Sequence, residues 1–348
     1  MKVQVQARNR AVQFGANPGE SVLYAGLRNG FKLPYECATG TCGTCKAKLV
    51  SGDIDEHWPD APGKKNLKLE QGEFLMCQCS ARGELSIEVG AFLTDMEAGA
   101  VQPDHFKGTI RDTRQLTADV MSFSVALKEP CDFDAGQFVV LRCSGVEGYR
   151  GYSMVNFDRR AERLDFVIKK LSGGCLTEKL FRDNPDGMEV ELFGPLGVAT
   201  FYPEIDKNLL CIAGGSGIAG IMSILSRATD ERYFAKHRGH VFFGVRTSED
   251  VFFGEELEAF KAAAPDNLQI VIALSHMESV PGELQRRYPT LEFDTGWVHE
   301  VAGRYMQGSY ENVMAYLAGP PPAVDASIRL LLLQARLTTD SIRYDKFS

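Results

Sequence analysis

The sequence predicts a multidomain protein of the α+β and α/β classes, built from three consecutive parts. The chain has 348 residues. This is longer than a chain that folds around one hydrophobic core, so two or three domains are predicted. The closely spaced cysteines all precede residue 92, short strands separated by turn residues fill the middle, and strands alternate with helices from residue 204. These patterns predict a small cysteine-rich α+β domain, an antiparallel β-barrel and a parallel sheet with crossover helices.

Three segments and one linker are predicted. Residues 1–92 end in the strand-like "ELSIEVG" and form the first domain. Residues 93–106 mix polar and apolar residues with Gly and Pro, which indicates a linker. The barrel is predicted over 107–203, from "GTIRDTRQL" to "GMEVELFGPLG", and the parallel-sheet domain over 204–348.

Charge and hydropathy exclude several function classes. The net charge is −8 and no basic run is present, which argues against nucleic acid or a membrane surface as a partner. The N-terminus alternates polar and apolar residues without the apolar core of a signal peptide, so we expect a cytoplasmic protein. Residues 208–225 are uncharged and long enough to span a membrane. Their central glycines instead favour a buried strand, a loop and a helix, and we expect no membrane span.

The cysteines of the first domain indicate an iron–sulfur site. Reduced thiols clustered in a cytosolic protein point to metal or redox chemistry rather than disulfides. Cys37, Cys42 and Cys45 form Cys-x4-Cys-x2-Cys, the plant-type spacing for a 2Fe–2S cluster. A fourth thiolate is available from Cys77 or Cys79.

The glycines of the cysteine loop fit this interpretation, and two other kinds of site could use the same cysteines. Gly40 and Gly43 let the backbone approach closely and turn its N–H groups toward the sulfurs. A thioredoxin-like redox pair at Cys42 and Cys45 would leave Cys37 without a role, and no βαβ unit is predicted around it. A zinc site could use Cys42, Cys45, Cys77 and Cys79.

The middle and last parts contain motifs for anionic ligands. "RGYSMVN" resembles the Arg-x-Tyr-Ser motif of the ferredoxin–NADP reductase superfamily, and an arginine fork matches phosphate oxygens. About twenty residues later, two glycines precede a predicted helix, which favours a second phosphate contact. "AGGSGIAG" satisfies G-x-G-x-x-G after a hydrophobic strand, as in dinucleotide-binding turns. The alternative without a ligand is that Tyr152 is an ordinary packing residue of the barrel and that Arg150 lies at a solvent-exposed strand end.

Taken together, the chain resembles the reductase components of bacterial multicomponent oxygenases. It is most similar to reductases of toluene monooxygenase systems, which serve diiron hydroxylases, through "HWPDAPG", "FLMCQC", "AGGSGIA" and "IRYDKFS". The resemblance implies a β-grasp ferredoxin domain, an FAD-binding β-barrel and a Rossmann-like nicotinamide domain. It also implies that Cys77, in a Leu-x-Cys-Gln setting, is the fourth cluster ligand, and that Cys79 is a packing residue.

The resemblance further implies the cofactor-binding residues. For FAD these are Arg150, Tyr152, Ser153, Val167, Lys169, Gly173, Gly174 and Thr177. For the nicotinamide cofactor they are Gly214, Gly215, Ser216, Gly217, Arg246, Gly319 and Pro320. Tyr152, Ser153 and the C-terminal Phe347 are expected beside the reacting rings, with a frayed tail as the alternative for Phe347.

Two sequence features bear on the nicotinamide cofactor. Ala318 stands where many members of the superfamily have Cys, which puts a thiol role in hydride transfer in doubt. Arg246 lies close to Glu249 and Asp250, so the sequence offers both an NADP-type and an NAD-type residue. Similar reductases mostly use NADH, and we therefore expect NADH.

The implied activity is electron transfer from NADH to FAD, then to the 2Fe–2S cluster and on to an oxygenase of aromatic or alkene substrates. FAD accepts two electrons and releases them singly, while the protein supplies position and electrostatics. The expected partner is a hydroxylase component or an intermediary Rieske or ferredoxin protein, bound transiently because acidic and basic residues nearly balance in residues 1–92. A reductase of a Rieske dioxygenase and a redox sensor without an electron-accepting partner remain alternatives.

Overall fold

The N-terminal domain is a mixed sheet crossed by one helix. A computed structural model describes residues 1–346. The elements of this domain are β1 (Lys2–Ala7), β2 (Ala11–Gly15), α1 (Val22–Arg28), β3 (Lys46–Ser51), β4 (Ile54–Glu56), β5 (Glu73–Leu75), β6 (Cys79–Ala81) and β7 (Leu85–Val89). The main sheet has the order β2-β1-β7-β3-β5, with β1 and β7 parallel, and β4 pairs with β6 separately. This arrangement is the predicted β-grasp fold.

Local sequence explains these elements. In β1, exposed and buried residues alternate, and the buried face of Val3, Val5 and Ala7 points toward the core. Helix α1 begins after Ser21, whose hydroxyl accepts a hydrogen bond from the N–H of Tyr24 at 3.3 Å. The helix is buried along almost its whole length.

The middle of the chain forms an antiparallel sheet of six strands. Its elements are β8 (Asp104–Gln115), β9 (Val120–Cys131), β10 (Phe138–Cys143), β11 (Arg150–Ser153), β12 (Ala161–Lys169), α2 (Cys175–Arg182) and β13 (Glu189–Leu196). The order is β11-β10-β13-β8-β9-β12. Strand β8 begins at Asp104, inside the predicted linker 93–106, because its first residues pair with β13. The predicted domain boundaries otherwise stay a prediction.

The C-terminal domain is an all-parallel sheet flanked by helices. Its elements are β14 (Asn208–Gly214), α3 (Ile218–Asp230), β15 (Gly239–Val245), α4 (Gly254–Ala263), β16 (Leu268–Leu274), α5 (Gly282–Arg287), β17 (Glu292–Thr295), α6 (Val298–Tyr305), β18 (Val313–Gly319), α7 (Pro321–Arg329) and β19 (Ile342–Lys346). The order is β17-β16-β15-β14-β18-β19. Chain connections therefore diverge between β14 and β18, which creates a crevice at their carboxyl ends.

The uncharged stretch 208–225 is divided between β14, the glycine loop and α3. Across residues 1–346, the structure contains no helix whose length and apolar character would let it cross a membrane.

The N-terminal domain shares a hydrophobic core with the barrel. Phe138, Val140, Phe193 and Leu196 of the barrel belong to the same buried cluster as the N-terminal sheet and α1. The Tyr24 ring stacks on Phe193 with centroids 4.3 Å apart. The two domains consequently pack as neighbours without an intervening solvent layer.

A charged contact reinforces this interface. His105 of β8 lies 3.1 Å from the Glu20 carboxylate, which also accepts hydrogen bonds from Arg28. Burial alone raises the pKa of Glu20, but the hydrogen bonds from Arg28 and His105 outweigh it and lower that pKa to about 2. Glu20 therefore stays ionised at neutral pH and contacts Arg28 of its own domain and His105 of the barrel.

Candidate cofactor sites

The four predicted cluster cysteines lie together as two pairs of thiols. Cys45 and Cys77 have their Sγ atoms 3.2 Å apart, although 32 residues separate them in the chain. The Cys42 thiol lies in hydrogen-bond contact with Cys37, and this contact, with the backbone N–H donors of Thr39 and Cys42, lowers the pKa of the Cys37 thiol well below its ordinary value. Three of the four thiols are buried, and Cys42 is half-buried.

Backbone N–H groups of the loop point at the sulfur atoms. The N–H groups of Thr39 and Cys42 donate to Cys37 Sγ, and that of Thr44 donates to Cys42 Sγ, each at 3.4 Å. Gly40 and Gly43 have φ values of 91° and 87°, which other residues adopt only with strain. The loop thus provides the hydrogen-bond donors that stabilise thiolates around a cluster.

The four thiols of this region fit a two-iron cluster. Cys79, which the zinc alternative requires, is a buried residue of β6, whereas the Cys77 thiol pairs with Cys45. The donor set of two thiol pairs matches a two-iron cluster with two thiolates on each iron.

The Arg-Tyr-Ser motif occupies the short strand β11, opposite β10. Tyr152 pairs with Val139, and burial raises its pKa above the ordinary value. Ser153 is buried and faces the start of α3, since a Cβ on Gly220 would lie 3.7 Å from the Ser153 hydroxyl oxygen. The motif therefore lies where the barrel meets the glycine loop of the C-terminal domain.

The Arg150 guanidinium is free of carboxylate partners among the described residues. It donates to the carbonyl groups of Tyr149 at 2.9 Å and Glu147 at 3.4 Å. A guanidinium with its charge uncompensated is available to pair with phosphate oxygens.

The predicted second phosphate loop is closed by its own hydrogen bonds. The Thr177 hydroxyl accepts from the N–H of Leu171 at 3.1 Å and contacts the Gly174 carbonyl at 3.2 Å. The Gly173 N–H donates to the Glu178 carboxylate at 2.7 Å. Thr177 thus shapes the turn before α2. Val167 and Lys169 lie on β12, which leads into this loop.

The glycine loop after β14 requires glycine for contact with β18. A Cβ on Gly217 would lie 2.6 Å from the Gly319 backbone, and a Cβ on Gly319 would lie 2.9 Å from the Gly214 carbonyl oxygen. Gly215 and Ser216 complete the turn, and Pro320 follows Gly319 directly. The predicted nicotinamide residues of the glycine loop and of β18 therefore lie next to each other, on the two sides of the crevice.

Arg246 is held between two carboxylates at the end of β15. Its guanidinium lies 3.0 Å from Asp119 and 3.6 Å from Asp250. Asp119 belongs to the barrel and also lies 3.1 Å from Lys169. No sequence pattern marks Asp119, because its role depends on contact between two domains.

A junction of three domains was also missed from sequence. The N–H of Gly197 donates to the Tyr35 hydroxyl at 3.0 Å, and the next N–H, of Val198, donates to the Asp345 carboxylate. Burial, with the nearby Glu36 charge, raises the pKa of Asp345 to about 7. Two consecutive barrel amides therefore hold residues from the other two domains. Phe347, predicted beside the reacting rings, lies outside the described residues.

A cysteine loop for two irons, a barrel with a phosphate-matching arginine and a dinucleotide-type crevice together define an iron–sulfur flavoprotein reductase. Family models agree with each part of this assignment. The 2Fe-2S iron-sulfur cluster binding domain matches residues 5–82, the oxidoreductase FAD-binding domain matches 107–201, and the oxidoreductase NAD-binding domain matches 211–328.

More particularly, the chain belongs to the family of ferredoxin–NAD(P)+ reductase components of oxygenase systems. Ferredoxin–NAD(P)(+) reductase CarAd of Metapseudomonas resinovorans is 32% identical over 94% of this chain and 95% of its own length. The ferredoxin–NAD(+) reductase component of the alkene monooxygenase system of Xanthobacter autotrophicus is 30% identical, over 97% and 99%. The electron transfer component XylA of Pseudomonas putida xylene/toluene monooxygenase is 29% identical, over 93% and 87%.

A solved structure supports the same assignment. The ferredoxin reductase of carbazole 1,9a-dioxygenase superposes with a TM-score of 0.84 at 29% identity, covering 100% of this chain and 99% of the other. The predicted fold class, the enzyme class and the three cofactors are thereby confirmed. The protein is an oxidoreductase that transfers electrons from NAD(P)H through FAD and a 2Fe–2S cluster.

Proposed function

We propose that this chain delivers electrons from NADH to an oxygenase component, and that the residues predicted from the sequence hold its cofactors. Cys37 and Cys42 hold one iron of the cluster, and Cys45 and Cys77 hold the other. The observation that carries this assignment is the convergence of four thiols in two pairs, surrounded by backbone N–H donors.

For FAD, we propose roles that follow from the position of each group. Arg150 pairs with the pyrophosphate, since its guanidinium carries no carboxylate partner in the described chain. Tyr152 lies against the flavin ring, and Ser153 offers its hydroxyl near the junction with the glycine loop. Val167, Lys169, Gly173, Gly174 and Thr177 form the wall and the turn that follow. FAD, when bound, supplies the conversion of a two-electron donation into single-electron steps.

For the nicotinamide cofactor, we propose that the crevice between β14 and β18 receives the pyrophosphate and the nicotinamide. Gly214, Gly215, Ser216 and Gly217 form one wall, and Gly319 with Pro320 forms the other. Arg246 favours NADH over NADPH, because Asp119 and Asp250 already neutralise the guanidinium that a 2′-phosphate would need. NADPH should therefore support a lower kcat/KM than NADH.

The acceptor we propose is the hydroxylase component of a diiron monooxygenase. Relatives named as alkene and xylene/toluene monooxygenase components support this choice. The second candidate is an intermediary Rieske or ferredoxin protein, which the relative CarAd and the carbazole 1,9a-dioxygenase reductase favour. Either partner requires brief contact with the cysteine loop, because the reductase must release it after each electron.

Spectroscopy of the purified protein tests the assignment. Iron and flavin assays should find two irons and one FAD per chain. Mixing with NADH should bleach the visible absorbance of both the flavin and the cluster. Reduction of cytochrome c should follow, faster with NADH than with NADPH. A colourless protein, or one that binds flavin but contains no iron, would contradict the proposal.

A further inference from the structure

The segment from His57 to Asn66 contacts the cysteine loop, and the roles above leave it unassigned. The Gly63 N–H donates to the Gly40 carbonyl at 2.8 Å, and the Asn66 amide donates to the Cys42 carbonyl at 3.0 Å. A Cβ on Gly63 would lie 2.7 Å from the Gly40 oxygen, so only glycine permits this approach. The bridging segment, residues 57–66, is therefore joined to the loop by two hydrogen bonds.

The bridging segment also contacts the chain that follows Cys77. The His57 N–H donates to the Gln78 carbonyl at 2.7 Å. The His57 ring nitrogen Nε2 lies 3.0 Å from the Ser80 hydroxyl. The segment is thus fixed to both stretches of chain that supply cluster thiols.

Trp58 extends this segment to the barrel. Its ring is half-buried, and the guanidinium carbon of Arg150 lies 5.3 Å from the ring centroid. Tryptophan is the aromatic side chain that attracts a cation most strongly. Trp58 consequently contacts the side chain to which we assign the FAD pyrophosphate, from a segment bonded to the cysteine loop.

We propose that Trp58 is a positioning residue that fixes Arg150 for FAD and sets the cysteine loop against the flavin-binding strand. The proposal rests on the proposed roles of Arg150 and the cluster cysteines. A ligand that holds Arg150 in place also favours the position in which Trp58 contacts the Arg150 guanidinium. In turn, Trp58 in that position strengthens binding of the ligand by the same factor. FAD binding and the placement of the cluster domain are therefore coupled through one side-chain contact.

Replacing the indole tests the coupling. Trp58→Leu removes the ring, whereas Trp58→Phe keeps a weaker one. FAD titrated into flavin-depleted protein that retains its cluster should bind about threefold to thirtyfold more weakly to Trp58→Leu, the range expected for one cation–π contact. The ratio of cytochrome c reduction to ferricyanide reduction should fall as well, because cytochrome c takes electrons from the cluster. Trp58→Phe should give intermediate values and guards against misfolding of the first variant.

Phe31→Leu is the matched control. The Phe31 ring contacts Phe14 and carries Arg10 at 5.8 Å, so the same kind of contact is lost entirely within the N-terminal domain. This variant should keep the wild-type FAD affinity and reduction ratio. A shared loss in both variants would indicate a general effect of destabilisation and would overturn the proposal.

A double variant separates positioning from packing. If Trp58 acts through Arg150, Trp58→Leu should weaken FAD binding far less in an Arg150→Gln background, which has no cation for the ring, than in the wild type. An equal effect in both backgrounds, or unchanged FAD affinity in Trp58→Leu, would overturn the proposal. Absence of flavin, iron or NADH bleaching in the wild type would instead contradict the proposed function itself.

Discussion

Cys77 and Cys79 show how two nearly adjacent residues of one type acquire different roles. The Cys77 thiol lies against Cys45, whereas Cys79 packs in β6 two residues further on. The pKa of both thiols is raised, that of Cys77 chiefly by its hydrogen bond with Cys45 and that of Cys79 by burial, so their contacts separate the two roles. Spacing alone left both residues open, since either could close a four-thiolate set. The assignment of Cys77 came from resemblance, and it stays a prediction that the thiol geometry supports.

Replacing these two cysteines should give opposite results. Cys77→Ser should remove the cluster absorbance and nearly all cytochrome c reduction, because one iron loses a thiolate ligand. NADH-dependent ferricyanide reduction should persist through the flavin. Cys79→Ser should keep both activities, with at most a small loss of thermal stability. Iron analysis and visible spectra distinguish the outcomes, and a cluster retained in Cys77→Ser would contradict the ligand assignment.

Asp345 should make the folded state less stable as the pH rises. Its folded-state pKa is about 7, above the ordinary value of 3.8, mainly because the carboxyl is buried. Between these values the folded state holds a proton that the unfolded state has released, so the free energy of unfolding falls as the pH increases through this window. Asn at this position can still accept the Val198 N–H and cannot ionise.

The variant Asp345→Asn should therefore gain stability relative to the wild type at pH 8 but not at pH 4. Thermal unfolding at several pH values measures the difference, which should grow between pH 4 and pH 7 and then level off. A difference that is constant across this range would show that Asp345 does not hold its proton in the folded protein.

At the scale of elements, strongly patterned strands were predictable, whereas strand β19 was not. The strand that became β14 is a continuous apolar run, and its glycine loop and helix follow as expected. Strand β19, "IRYDK", is only five residues long and carries three charged residues, and it forms one edge of the sheet. Its pairing with β18 is a long-range contact that leaves no local signal in the sequence.

The crossing of the glycine loop and β18 should be sensitive to a single methyl group. In Gly217→Ala the new Cβ would lie 2.6 Å from the Gly319 backbone, which side-chain rotation cannot relieve. We expect a loss of about 1–3 kcal/mol in the free energy of unfolding and a higher KM for NADH.

Gly282→Ala provides the control, because its new Cβ would meet nothing within 4 Å in the same domain. Denaturant unfolding and NADH kinetics should leave this variant close to the wild type. Equal effects of the two substitutions would show that the close approach is not the cause.

At the scale of the whole molecule, the N-terminal domain is seated on the barrel through an aromatic contact. Tyr24 stacks on Phe193, and its hydroxyl donates to the Ala38 carbonyl of the cysteine loop at 2.9 Å. One buried side chain thus contacts both the barrel and the loop that we propose holds the cluster. The sequence predicted the domains in their correct order, but domain contacts of this kind depend on surfaces that no motif marks.

Substitution of Tyr24 should separate the two electron-transfer stages. Tyr24→Leu loses the stack and the hydroxyl, so cytochrome c reduction should fall while ferricyanide reduction with NADH changes little. Tyr24→Phe keeps the stack and loses only the hydrogen bond, worth about 1 kcal/mol. Its rate of cytochrome c reduction should lie between those of the wild type and Tyr24→Leu. Stopped-flow absorbance of flavin and cluster after mixing with NADH measures each stage. A parallel fall of both activities would contradict this division.

The two neighbouring amides of Gly197 and Val198 limit how this reductase could be rearranged by recombination. Exchange of the N-terminal domain for one without tyrosines at the positions of Tyr24 and Tyr35 would leave the Gly197 amide without its acceptor and the Phe193 ring without its partner. Such a chimera would expose the Phe193 ring, would leave the Gly197 N–H without an acceptor, and would therefore favour self-association. Modular shuffling of these domains therefore has to carry the matching surface with it.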